Sequence, residues 1–288
     1  METRANEIQP VSQHISKISN VKADYSHITL TEAEEAAAIH EAKAKKDALL
    51  RMEAYKRRLY EKPVYKQLSY DELDAIVREK HHVVDVHDQN YSAMIERYRE
   101  QKVLPFILND TNRTIYEQLC QYFSNDEGFE MSDSLSLQKG ILLRGPIGCG
   151  KTTLMQMFCV NSFRPYELIS VRVIADSYSK NGSDALYNFS SLQRAYAQQN
   201  YGHTEIGLCY DDIGTENLKK NFGNEVNVMQ DIVYKLYDLK NFSFFHGTTN
   251  LGSDGIEEMY GPRVKSRIYE MYNVISFPGT AKDWRISG

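Results

Sequence analysis

The sequence is poor in the residues that staple or anchor a chain. Among 288 residues there are four cysteines, seven prolines and one tryptophan. No uninterrupted apolar run reaches the roughly 18 residues a membrane span needs, and mean hydropathy is −0.52, so no membrane partner is expected. The N-terminal METRANEIQP lacks an apolar h-region, so no signal peptide is expected. Cys120, Cys149, Cys159 and Cys209 show no CxxC pairing, which removes zinc ribbons and dithiol redox motifs and leaves a reduced, cytoplasmic setting as the expectation. A basic excess is also missing: 34 Lys+Arg stand against 39 Asp+Glu, a net charge of −5. That argues against coating DNA by bulk charge, while leaving room for a local basic groove.

What is present suffices for two ordinary domains, or one large domain with an appendage. Residues 1–70 carry 12 Lys+Arg against 10 Asp+Glu, so the acidic excess lies in the remainder. From Thr31 to about Tyr60 the chain is rich in Ala, Glu and Lys. Thr31 and Glu34 have the spacing of a capping box, and Glu41/Lys45, Asp47/Arg51 and Glu53/Arg57 are acid-before-base pairs four apart. The pattern predicts a helix ending before Pro63. Its apolar positions Ile39, Leu49, Leu50 and Leu59 are too sparse for a heptad seam, which leaves a solvated helix or a partner-binding arm.

Further helices are predicted after the Ser69/Glu72 capping box, around Tyr91–Tyr98, and from near Thr111 to Phe123, as a small helical unit. Between the first two lies HHVVDVHD, whose His81, His82, Asp85, His87 and Asp88 are metal-ligand types. Adjacent histidines diverge in regular structure, so a solvated connection is expected there. After Glu130 short apolar runs alternate with helical stretches: GILLRG (140–145), ELISVRVIA (167–175), IGLCYD (206–211), FSFFHGTTN (242–250) and VISFPG (274–279). That alternation predicts an α/β fold with a five-stranded parallel sheet flanked by helices. The predicted division is a helical N-terminal region at 1–129 and a second domain at 130–288.

Gly145-Pro-Ile-Gly-Cys-Gly-Lys-Thr152 satisfies GxxxxGK[ST], and it sits between an apolar strand and a helix whose face is Leu154, Met155, Phe158 and Cys159. Glycines there let backbone N–H groups close on phosphates, at a helix N-terminus carrying partial positive charge. The expected nucleotide-binding set is Gly145, Pro146, Gly148, Cys149, Gly150, Lys151, Thr152 and Thr153, with Lys151 on the β- and γ-phosphates. Cys149 is read as a passive filler. The strand IGLCY ends in Asp211 and Asp212. Asp211, with Thr152, would hold Mg²⁺, and Asp212 would polarise water, with Glu216 as a second candidate base. Asn250, at the polar end of FSFFHGTTN, would position the attacking water or cap the following helix.

GPIGCGKTTL, CYDDIGTE, HGTTN and YGPRVKSRIYEM together resemble the AAA+ ATPases of the DnaC-type helicase loader and IstB-like group, over roughly residues 130–288. The resemblance implies a P-loop NTPase of AAA+ type using ATP and Mg²⁺ at the interfaces of a homo-oligomer. It further implies Arg267, with Arg263 as second choice, as a finger reaching a neighbour's site, and Arg285 as an arginine sensing nucleotide in its own subunit. Loaders of this kind grip single-stranded DNA and hold a replicative helicase through an N-terminal region. The stretch 176–205 places Tyr178, Lys180, Tyr187, Phe189, Arg194, Tyr196 and Tyr201 where they could stack bases, or pack on the sheet. The alternatives are an IstB-like ATPase acting with a transposase and a P-loop kinase for a small metabolite. Paired acids, a polar strand end and the arginine helix favour water as nucleophile over a metabolite.

Overall fold

The computed structural model describes residues 29–60, 66–194, 203, 205–216, 219–221 and 224–285. Pro63, Tyr196 and Tyr201, and the side chains of Arg57, Leu59 and Arg194, lie outside the described residues. Contacts divide the chain into 1–62 and 63–288.

The first unit contains helix α1 (Glu32–Tyr60). Its start is the expected capping box: the Glu34 N–H donates to Thr31 Oγ1 at 3.3 Å, and Thr31 N–H donates to Glu34 Oε2 at 2.8 Å. Lys45 pairs with Glu41 at 2.7 Å and Arg51 with Asp47 at 2.9 Å, contacts worth a few tenths of a kcal/mol each (~0.3). Every described side chain of α1 is exposed, Ile39, Leu49, Leu50 and Met52 included.

The second unit begins with α2 (Tyr70–His81), β1 (Val84–Asp85), α3 (Tyr91–Glu100), β2 (Ile107–Leu108) and α4 (Arg113–Phe123). Ser69 and Glu72 form both bonds of the capping box at the start of α2. HHVVDVHD is more than a solvated connection. Val83 and Val84 are buried, β1 pairs in parallel with β2, Asp85 chelates the Arg113 guanidinium, and His87 Nε2 meets Asp110 at 2.7 Å. No cluster suited to a metal occurs among the described residues.

The main sheet is built from β3 (Gly140–Arg144), β4 (Tyr166–Ser170), β6 (Glu205–Ile213), β9 (Phe245–Thr249) and β10 (Tyr272–Ser276). Their order is β10-β3-β9-β6-β4, all parallel, and the two-residue β5 (Gln193–Arg194) adds antiparallel to β6. Parallel strands need crossovers, and the helices supply them: α5 (Lys151–Phe158), α6 (Val171–Asn181), α7 (Ser183–Asn188), α8 (Val228–Leu239), α9 (Ser253–Tyr260) and α10 (Pro262–Met271). A short antiparallel pair, β7 (Lys219–Asn221) and β8 (Asn224–Val226), precedes α8. Alternation along β3 shows why both faces are covered. Ile141 and Leu143 join a core with α2, α4 and α5, whereas Leu142 joins one with α6, α8, α9 and α10.

Two expectations change. Helices α2 and α4 share the sheet's own core, with Leu73, Val77, Leu119 and Phe123 packed in the cluster that holds Phe158 and Ile275. The division of the chain therefore falls at 62/63 instead of 129/130. The run ELISVRVIA is strand only to Ser170. There the Ser170 hydroxyl caps α6 by accepting from Arg172 N–H at 3.3 Å, and Val171, Ile174, Ala175 and Tyr178 become its buried face.

Candidate nucleotide site

The carboxyl ends of β3, β6 and β9 bring the polar groups together, as is general for open parallel sheets. Strand β9 lies between β3, which feeds the glycine loop, and β6, which carries the acids. Polar residues at its end can therefore touch both.

The loop Gly145–Gly150 turns into α5 through two residues with positive φ, Gly148 (+74°) and Gly150 (+101°). The positive φ at Gly148 favours glycine, and a Cβ there would also displace the Asp283 carboxyl, whose Oδ1 would stand 1.8 Å away. Lys151 is 5% exposed. Its ammonium donates to Gly145 O at 2.9 Å, Pro146 O at 2.8 Å and Asn250 Oδ1 at 2.6 Å. The amine thus lies folded over the loop, held by oxygens that phosphate oxygens can replace. Cys149 is buried beside it, and burial pushes its thiol above the ordinary value while Lys151 opposes this. A buried thiol held above its ordinary pKa carries little thiolate.

Thr152 Oγ1 donates to Asp211 Oδ1 at 2.8 Å, and Thr248 Oγ1 donates to the same oxygen at 2.6 Å. A hydroxyl and a carboxylate in contact are hard oxygen donors, the chemistry Mg²⁺ takes, with phosphates and water to complete its shell. The donor set therefore fits the ion. At the next residue the strand departs from regularity. Its register against β9 shifts between Tyr210 and Ile213, and Asp212 has φ +61°, a conformation costing a non-glycine residue on the order of 1 kcal/mol. The kink directs Asp212 to the cavity, while its N–H donates to Thr248 Oγ1 at 2.9 Å.

The cavity measures about 610 Å³, within the usual range for a small-molecule ligand. It is lined by Gly148 to Thr153, Asp212 and Asn250, and also by the apolar Leu104, Pro105, Phe106, Ile107, Ile147 and Trp284. Arg285 lines it, and so does Arg172, whose Nε donates to Thr215 Oγ1 at 3.2 Å.

Glu216 does not line this cavity. It is buried, Oε1 accepts from Tyr260 Oη, and Oε2 accepts from Gly214 N–H at 3.0 Å. Burial pushes its carboxyl above the ordinary value. It is a tie between the end of β6 and α9, and this displaces it as second base. Arg267 lies over the rings of Tyr234 and Tyr237 of its own chain, 4.4 and 4.5 Å from their centroids, whereas Arg263 is exposed; neither lines the cavity. In the 176–205 stretch Tyr178 is core and Phe189 packs against it, leaving Lys180 and Tyr187 exposed.

Thr248, Arg172, Asn112 and Thr215 are polar residues at the site that the sequence did not point to as site groups. A threonine inside a buried strand reads as β-propensity, and Arg172 falls within a run that reads as strand.

The sheet order, the glycine loop and the acids at the strand end define a P-loop NTPase fold. No protein-family profile matches the chain, and no curated protein matches it. Among solved structures it is similar to a DNA replication initiation factor, with a TM-score of 0.39 and 18% identity over 60% of this chain. The likeness spans 47% of that protein, about half its length, and assigns this chain neither family nor activity.

Proposed function

We propose that the chain is an AAA+ ATPase of the helicase-loader type, which binds ATP and Mg²⁺, hydrolyses ATP between copies of itself and contacts single-stranded DNA. The observation that carries the ATPase part is the meeting of three strand ends in two short chains of contact, Lys151 with Asn250 and Thr152 with Asp211 and Thr248.

Lys151 exchanges its carbonyl and amide partners for β- and γ-phosphate oxygens, which frees Asn250 to orient water. Asp212 accepts the water's proton, and Thr152 and Asp211 hold Mg²⁺. The ion, when bound, neutralises charge on the phosphate oxygens. Arg263 from a neighbouring copy stabilises the transition-state charge. It replaces Arg267 as first choice because the two tyrosines already engage Arg267. The exposed Lys180 and Tyr187 suit single-stranded DNA, and the exposed, charged α1 suits a helicase partner.

Phosphate release from MgATP without any acceptor is expected, and Lys151→Ala should abolish both binding and release. A strict requirement for a small-molecule acceptor would replace this reading with a kinase. Co-purification with a hexameric helicase, lost on deleting residues 1–62, supports the loader assignment, and exclusive capture of a transposase overturns it.

A further inference from the structure

Three exposed large apolar side chains line the nucleotide cavity together: Leu104 is 95% exposed, Ile147 62% and Trp284 43%. They come from unrelated places, the approach to β2, the glycine loop and the segment after β10. Apolar groups left in water singly need no explanation, but a cluster at the mouth of a cavity marks a ligand surface. The same cavity is lined by the phosphate loop, Gly148 to Thr153. A ligand that uses both kinds of wall carries phosphates and a flat apolar group.

From this geometry we infer that Trp284 stacks on the base of the bound nucleoside triphosphate, with Leu104 and Ile147 closing the slot, and that residues 281–285 form a clamp reading base and phosphates together. The inference rests on the nucleotide-site reading and specifies its ligand. The Trp284 N–H donates to Gly148 O at 3.1 Å, so the ring is tied through its own backbone to the loop that cradles phosphate. The neighbouring Arg285 lines the same cavity. A base held against Trp284 therefore fixes the position of Arg285 as well. Stacking, and not side-chain hydrogen bonding, is the main base contact. Asn112, a buried polar side chain of the lining, already donates its amide to Ile107 O at 2.9 Å and accepts from Asn109 N–H at 2.9 Å.

Trp284 is the single tryptophan of the sequence, so its fluorescence reports on this slot alone. The test compares MgATP with magnesium tripolyphosphate, which offers the phosphates without a base. MgATP should change the Trp284 emission and tripolyphosphate should not. By calorimetry, Trp284→Ala should weaken ATP about tenfold or more while holding tripolyphosphate within about twofold. Trp284→Phe should recover most of the loss, and Leu104→Ser should weaken ATP alone. Retained tripolyphosphate binding also shows that each variant is folded at the loop. Wild-type protein binding tripolyphosphate as tightly as ATP, or Trp284→Ala with unchanged ATP affinity, overturns the slot and leaves the phosphate site standing. Wild-type protein binding neither overturns both.

Discussion

At the scale of single residues, the site is organised around one carboxylate oxygen. Asp211 is 8% exposed, and its Oδ1 receives two hydroxyls, from Thr152 and Thr248. Hydrogen bonds to a charged acceptor are about twice as strong as neutral ones, and an ionised group that loses one while buried bears the desolvation cost. Thr152 is in line to hold the ion itself, whereas Thr248 orients the carboxylate that holds it and accepts from the Asp212 N–H. The two should therefore separate experimentally. Thr248→Val keeps the shape of the side chain and removes the donor. It should raise the Mg²⁺ concentration needed for half-maximal hydrolysis about 10–100-fold, the usual cost of losing a group that orients a metal ligand, and Thr248→Ser should restore it. An unchanged Mg²⁺ dependence would show that Thr248 serves the fold alone.

Elements show why parts of this site were legible and others not. GxxxxGK[ST] carries its geometry in its residue types, since the turn at Gly148 and Gly150 demands glycine and the helix must follow. DD at a strand end is readable for the same reason. The end of β4 is not. Val171, Val173 and Ile174 continue the β-branched run, and only the Ser170 cap converts it to α6, which brings Arg172 to the cavity. Glu216 was misplaced because its burial depends on α9, a distant element that supplies Tyr260. That tie has a pH consequence. Burial raises the Glu216 carboxyl above 4.5, so its proton is held more firmly in the folded state than in the unfolded one. The stabilisation is complete below the unfolded value and is lost as pH rises through the folded pKa. Glu216→Gln can still accept from Tyr260 but cannot ionise. Thermal melts from about pH 4 to pH 7 should show wild type losing ground steadily to the variant, and a pH-independent difference would mean that Glu216 titrates normally.

For the whole molecule, the acidic total excludes little once the groups are placed, because the cations that matter are few and local. Lys151, Arg172 and Arg285 belong to the cavity of their own chain, whereas Arg263 stands exposed on α10, away from that cavity. If Arg263 completes a site, it completes another copy's. That requires a head-to-tail contact, in which the surface bearing the cavity meets the surface bearing α10. Mixing two dead proteins distinguishes this from a site complete in one chain. Arg263→Ala keeps Asp212, and Asp212→Asn keeps Arg263. In an equimolar mixture that assembles at random, about a quarter of contacts pair an intact Asp212 with a neighbour's intact Arg263, so about a quarter of wild-type turnover should return. A site complete within one chain returns none, since each subunit lacks one of its parts. Mixtures with Arg267→Ala extend the comparison. Removing Arg267 takes away two cation–π contacts worth roughly 0.5–2 kcal/mol each, so that variant should lower the melting temperature while staying active on its own. An Arg267→Ala protein that is dead alone and revived by Asp212→Asn, with Arg263→Ala active alone, would instead return the trans role to Arg267.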